Sequence, residues 1–477
     1  MVVTGLATAP VERKASVTLA VASLAVFAVF LDTTVLFVAF PDIVSSFDSV
    51  SPTQLSWVLN GYTIVFAALL VPAGRYADRL GHKRVFLGGS VLFTLASLAC
   101  ALAPTATLLI AFRLVQAVGA AALLPASLAL VLRAFPAHRI PFAVAIWGST
   151  GALAGAVGPT LGALLVELGG WRLVFLINIP TGIFTVITGR RYLGESNDPD
   201  AVVPAALGVV LIAAAASLIS LGVVQSEEWG STDPRTIGCL VGGGIMLALF
   251  VAHQRRTPAP ALDMALFTIR NFAWGNAATL TFAIAFTAMF FSSILFLTEV
   301  WQYSTLRAGL AVAPGPLLVA ILAPFLGTLA ERVGQRPMLI VGGLTFAAGG
   351  IWRLVMLAGQ PDYLVDYLPS VLLTGIGVAL SLPQLSSTVA QALPPNRLGV
   401  GGGVNQAIRQ FGATLGVALT IAFVSTAARA TALDSFDKVW WLLIVGGVAT
   451  AALSSALRTR RVAQPTTTAT ATTGAPT

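Results

Sequence analysis

Fourteen stretches nearly free of charge, each about 17–25 residues long, recur along the 477-residue chain. That is the length an α-helix needs to cross the hydrocarbon of a bilayer. The approximate limits are 16–40, 56–73, 85–103, 106–131, 142–166, 172–189, 201–224 and 236–252, then 272–298, 309–330, 337–358, 368–390, 400–427 and 439–456. A chain that is 57% hydrophobic and 10% charged, with a mean hydropathy of +0.88, lacks the charge to cover a soluble domain of this size. The expected class is an all-α polytopic membrane protein. The first run is longer than a signal-peptide core and no small-residue cleavage site follows it, so it reads as a retained span.

An even number of spans puts both termini on one side, and Lys and Arg choose the side. With the N-terminus inside, nineteen of the 27 Lys and Arg fall on inner segments, five on outer segments, and Arg113, Arg353 and Arg409 within spans. Both termini are therefore expected to be cytoplasmic. The net charge of +8 has the same origin and does not point to nucleic acid. Cys100 and Cys239 lie inside apolar runs, which implies neither a disulfide framework nor a metal site.

The densest charge is in GRYADRLGHKR, residues 74–84, between spans 2 and 3. A weaker copy, GTLAERVGQRP, begins at 327; GPTLG at 158 returns as GATLG at 412, and Gly119 and Pro125 return as Gly377 and Pro383. The near-constant separation implies two related six-helix halves, residues 1–192 and 261–461, joined by two inserted helices over 193–260. Such duplication, with a site between the halves, is a transporter pattern. Residues 462–477 form a polar low-complexity tail, expected to be disordered.

The form G-x-x-x-D-R-x-G-x-K-R resembles the loop 2–3 signature of the major facilitator superfamily. LDTTVLFVAFP in span 1, RLVQAVGAA in span 4, AGAVGPTLGA in span 5, WRLVFLINIPTG opening span 6 and NQAIRQFGATLG in span 13 resemble its fourteen-helix drug:proton antiporter branch. The resemblance covers essentially the whole chain. It implies the major facilitator fold, with two six-helix halves working by alternating access.

The residues carry their own physics. Gly74 and Gly81 permit tight turns and close helix approach. Asp78 stands among Arg79, Lys83 and Arg84, and can pair with Arg79 or Arg84 or face a helix N-terminus; the resemblance implies a cytoplasmic gate here. Glu331 replaces the acid in the second copy, and Pro337 the final Arg, which predicts a weaker latch. Asp32 is the carboxylate deepest within the spans, nine residues from Pro41 at the expected end of span 1. Arg113 shares its depth, and an acid beside a cation can switch between proton, anion and bound cationic substrate. The two are the expected proton-coupling residues. Gly155, Gly158 and Gly162 share one helix face with Pro159 among them, which allows close packing and a bend; the resemblance implies an antiporter hinge. Asn405, Arg409 and Gln410 share a face with Gln406, which must look into a cavity or another helix. With Phe37, Gln116 and Glu299 they are the substrate-cavity candidates, although interfacial solvation also accounts for Glu299. Family members commonly carry Asn at the position of Phe37 and Gly at that of Ala117.

The expected function is efflux of lipophilic small molecules, cationic ones included, in exchange for protons across a bacterial plasma membrane. The expected partners are substrate, protons and the bilayer, the expected state a monomer, and no cofactor or nucleic acid is called for. An exporter of an endogenous lipid or natural product fits the same features. A membrane enzyme is disfavoured, because His82, His138 and His253 are scattered and each reads as solvated. No ATP-binding G-x-x-x-x-G-K-[ST] loop is present.

Overall fold

A computed structural model describes residues 8–136, 139–197, 205–230, 232–258, 260, 262–393, 398–424 and 432–458. His138 and the C-terminal tail fall outside them. Among the described residues there is no strand, and fourteen helices are long and apolar enough to cross a membrane. Spans 1 to 7 are Lys14–Ser46, Pro52–Leu80, His82–Ala101, Ala106–Ala134, Ile146–Gly169, Trp171–Tyr192 and Ala206–Ser226. Spans 8 to 14 are Pro234–Arg256, Arg270–Val300, Thr305–Leu322, Gln335–Met356, Tyr363–Gln391, Gly401–Val424 and Leu433–Ser455. Helices are the form in which backbone donors and acceptors are satisfied without water. Local chemistry sets their ends: Thr105, Asp233 and Ser304 side chains accept from the first-turn N–H groups of spans 4, 8 and 10. Cations close spans 2, 6 and 8 at their C-termini.

The charged stretch 74–84 is almost wholly helical, where a loop is expected. Span 2 runs to Leu80, span 3 starts at His82, and Gly81 alone turns the chain, with φ of 108°. Gly334, 253 positions on, makes the same turn between spans 10 and 11, with φ of 86°. Only glycine adopts such a backbone cheaply. Span 1 also departs from expectation, passing through Pro41 to Ser46. Asp32 therefore lies roughly 21 Å from that end at 1.5 Å per residue, nearer mid-membrane than its spacing from Pro41 suggests.

Spans 1–6 pack into one bundle and spans 9–14 into another, with span 7 packed against spans 2 and 13 and span 8 packed against span 7. The packing repeats. A Cβ on Gly119 would stand 2.6 Å from the Phe93 nitrogen, and one on Gly377 would stand 2.7 Å from the Phe346 nitrogen. Spans 3 and 4, and likewise 11 and 12, thus touch backbone to backbone. Lipid competes for apolar contact as well as a side chain does, so this close dispersion packing, rather than hydrophobic burial, holds helix to helix.

The bundles meet along a seam. Span 2 crosses span 13, where the Thr63 and Thr414 hydroxyls lie 2.7 Å apart. Span 5 crosses span 10, where a Cβ on Gly309 would stand 2.7 Å from the Pro159 carbonyl oxygen. Near the Ser46 end, Phe37 packs on Phe290 and Phe291, with centroids 5.9 and 5.5 Å away, and Phe40 stands edge-on to Phe291. Span 5 also packs inside its own bundle. Gly158 faces Thr34, whose Cβ would be 2.7 Å from an added methyl, and Gly162 faces the Val35 backbone. An added methyl on Gly155 meets nothing within 4 Å, so of the three glycines Gly158 and Gly162 make the close contact.

Gly158→Ala is expected to destabilise the protein by about 1–3 kcal/mol, the usual cost of overpacking. Thr34→Ala in the same chain removes the hydroxyl but keeps the Cβ, and is expected to recover part of it. Thermal unfolding in detergent of the two single variants and the double variant checks this; equal loss in single and double variants would place the strain elsewhere.

Candidate functional site

Asp32 is buried to 1%, in a bundle where spans 1, 3, 4 and 6 converge. Its Oδ2 accepts from Arg113 Nη1 at 2.5 Å. Its Oδ1 accepts from Gln116 Nε2 and Asn178 Nδ2, each at 2.9 Å. The network closes around these bonds. Arg113 donates through Nη1 to Gln116 Oε1 at 2.7 Å and through Nε to the Val58 carbonyl at 3.1 Å. Ser97 Oγ accepts from Gln116 and Asn178 and donates to the Phe175 carbonyl. The Arg113 guanidinium stacks on Tyr62, 4.0 Å from its ring centroid. A buried carboxylate persists in hydrocarbon only with this density of donors. Next to it, a void of about 10 Å³ is lined by Asn178, Ser90, Thr94, Thr181 and Thr185 among others, and the Ser90 hydroxyl has no hydrogen-bond partner. That volume is near the least that holds one water.

The sequence pairs Asp32 with Arg113, and the structure brings them together. Gln116, expected in a substrate cavity, belongs to this network instead and is fully buried. Ser97, Tyr62 and Asn178 go unassigned in the sequence. Asn178 stands inside the span 6 stretch that carries the family likeness, which was the available signal; Ser97 and Tyr62 have none, since a Ser or Tyr in a span is unremarkable.

At the end carrying residues 74–84, Asp78 pairs with neither Arg79 nor Arg84. Its Oδ1 lies 3.1 Å from His82 Nε2, one turn ahead. His82, expected to be solvated, is buried, and its Nδ1 lies 2.8 Å from the Ser196 carbonyl. Lys83 binds the Glu195 carboxylate through its N–H and the Arg190 carbonyl through Nζ. Arg84 stands 3.6 Å from Glu195, while Arg79 is exposed. Gly81 leaves the room that Glu195 fills, and Gly74 packs on Pro125. The stretch thus ties the ends of spans 2 and 3 to the segment leaving span 6. The side chain of Glu331, in the second copy, lies outside the described residues.

The remaining cavity candidates separate. Phe37 lies in the seam contact rather than beside Asp32's carboxylate. Asn405 donates to Asn276 Oδ1 and Thr279 Oγ1 of span 9, both at 3.0 Å. Gln410 is buried, and Arg409 is half-buried against Phe30 of span 1. Glu299 is exposed in a π-turn that ends span 9. Arg353, read from sequence only as an in-span cation, is buried between Ser293 and Ser370, which accept from it at 2.9 and 3.2 Å, and Trp440. A hollow of about 630 Å³ lies apart from all of these, lined by Ser16, Leu19, Phe135 and Arg139 among others.

The sequence model of the Major Facilitator Superfamily matches residues 22–417. The chain belongs to the Major Facilitator Superfamily. It is 35% identical over 409 residues to the multidrug resistance protein Stp of Mycobacterium tuberculosis, covering 86% of this chain and 75% of that one. It is 34% identical over 411 residues to the cephamycin export protein CmcT of Amycolatopsis lactamdurans, covering 85% and 84%. The tetracenomycin C resistance and export protein of Streptomyces glaucescens is 29% identical over 405 residues, covering 84% and 74%. A crystal structure of a D-xylose-proton symporter superposes with a TM-score of 0.66 at 14% identity, covering 92% of this chain and 96% of that one. That match concerns the fold, two six-helix bundles with, here, two further helices. As a Major Facilitator member the chain is a multi-pass membrane transporter of small molecules, not an enzyme.

Arg113→Met would strand the Asp32 carboxylate and is expected to cost about 3–5 kcal/mol. Adding Asp32→Asn is expected to return a substantial part, since the charge that needed Arg113 is gone. Denaturant unfolding of the two single variants and the double variant measures the coupling; strictly additive losses would mean that the pair is not the centre of the network.

Proposed function

We propose that the protein exports lipophilic small molecules, antibiotics among them, from the cytoplasm by alternating access, driven by proton entry rather than by any cofactor. The observation that carries the reading is the Asp32 carboxylate, held in mid-membrane by Arg113, Gln116 and Asn178. A proton antiporter needs a group that is charged in one state and neutral in the other. A rearrangement of spans 1, 3, 4 and 6 would change which of these donors meet the carboxylate. Relatives named for multidrug resistance and for export of cephamycin and tetracenomycin C support export as the direction.

In this reading residues 1–192 and 261–461 are the moving halves, 193–260 joins them, and the protein works as a monomer in a bacterial plasma membrane. Both termini face the cytoplasm, as the bias of Lys and Arg requires. The Ser46 end, where Phe37 and Phe40 meet span 9, is then the outer gate, and the Asp78–His82 contact orders the inner one. In the span 5 stretch Gly155, Gly158, Pro159 and Gly162, the Pro159 carbonyl meets Gly309 of the other half, where the halves turn, while Gly158 and Gly162 hold span 5 to span 1.

Two expected outcomes test this. Asp32→Asn keeps the shape but cannot titrate. In proteoliposomes with an imposed pH gradient it is expected to abolish uphill substrate flux and the accompanying proton movement, while some downhill exchange survives. Uphill transport by Asp32→Asn would sink the coupling role. Asp78→Asn is expected to insert normally, since the cations that set topology remain, and to shift the labelling of engineered cysteines from one side to the other. Unchanged labelling with full efflux would leave the stretch as a topology signal.

A further inference from the structure

Four charged groups lie deep in the spans, and they are not equivalent. Asp32 and Arg113 neutralise one another, and Arg353 is closed in by serine hydroxyls and aromatic rings. Arg409 is half-buried, and among the described residues it has neither a carboxylate within ion-pair distance nor a hydrogen-bond partner. Its guanidinium lies over the face of Phe30, with the guanidinium carbon 5.6 Å from the ring centroid. Asp32 cannot serve it. Residues two apart on a helix point to nearly opposite sides, so the face of span 1 that carries Phe30 looks away from the buried network. Phe30 also touches Gly151 of span 5, which places Arg409 where spans 1, 5 and 13 approach each other. One turn back along span 13, Gln406 Nε2 is buried without a partner. The Phe30 contact itself turns this side of span 13 toward the first bundle.

Two unmet donors, one of them a full positive charge, stand together at the junction of the bundles beside an aromatic face. A guanidinium in low-dielectric surroundings repels a cation and is stabilised by an anion that accepts its fork of N–H bonds. We propose that Arg409, with Gln406 and Phe30, selects the charge of the cargo, and that the protein carries amphipathic organic anions, an apolar ring system bearing a carboxylate or similar acidic group, in preference to lipophilic cations. The acid meets Arg409 and Gln406, and the ring system stacks on Phe30. The inference rests on the transport reading above only in taking the seam as the route of the cargo.

Two xanthene dyes of similar body and opposite charge test it, fluorescein and rhodamine 6G. Equilibrium binding to the purified full chain in detergent, followed by fluorescence anisotropy without any gradient, is independent of proton coupling, so it stands or falls apart from the Asp32→Asn result. The wild-type chain is expected to bind fluorescein saturably and more tightly than rhodamine 6G. Arg409→Gln is expected to weaken fluorescein at least about tenfold, the worth of one charge-assisted hydrogen bond. Arg409→Lys keeps the anion preference, and Arg409→Glu inverts it. Tighter wild-type binding of rhodamine 6G, no saturable fluorescein binding, or equal fluorescein affinity in wild type and Arg409→Gln would overturn the proposal. The wild-type preference decides the matter alone if a variant fails to fold.

Discussion

A carboxylate in the middle of a bilayer dictates much of the first bundle. Asp32 has three donors, and each comes from a different place in the chain: Arg113 and Gln116 from successive turns of span 4, Asn178 from span 6. Those donors are in turn oriented by Ser97, by the Val58 carbonyl and by the Tyr62 ring. No lipid can substitute for any of them, so spans 1, 2, 3, 4 and 6 must keep their mutual register for the charge to be tolerated. The packing of small residues follows the same demand, because helices close enough to share a buried network need glycine where they cross.

Much of this was legible in the sequence, and the reasons differ by element. Hydropathy and length give the fourteen spans because the bilayer imposes one length on all of them. The repeat was visible because Gly81 and Gly334 meet one backbone demand, and Gly119 and Gly377 one packing demand, in both halves. The Asp32–Arg113 pairing was legible because charge in a span is rare enough to need a partner. The rest was hidden where the deciding contact is long-range and chemically ordinary. Nothing local says that Ser97 accepts two amide bonds, or that His82 turns inward to Ser196. The end of span 1 was misplaced because a proline punctuates a helix in water, whereas Pro41 here sits within the helix that continues to Ser46.

Arg409 and Arg353 show how far burial and partners separate residues that look alike in sequence. Both are single arginines in apolar helices. Arg353 spends its donors on two serines and its faces on two aromatic rings, and is a fixed part of the second bundle. Arg409 has no hydrogen-bond partner among the described residues and meets a single ring, Phe30, at the place where the two bundles touch.

The first bundle is fastened at both ends. At the Ser46 end Asp42 accepts from the Trp171 N–H at 2.8 Å, and Ser46 accepts from the indole at 3.1 Å. At the other end the His82–Ser196 and Lys83–Arg190 contacts join spans 3 and 6. The seam with the second bundle is different, made largely of phenylalanine rings, glycine faces and one hydroxyl pair. A body that is stiff within and packed mainly by dispersion along its sliding surface moves as a block, and much of the work of moving it is dispersion lost and regained. Bilayer thickness and lateral pressure act on such contacts directly, while salt and pH act on them hardly at all. The lipid composition of the membrane is therefore a natural control on how fast this protein changes state.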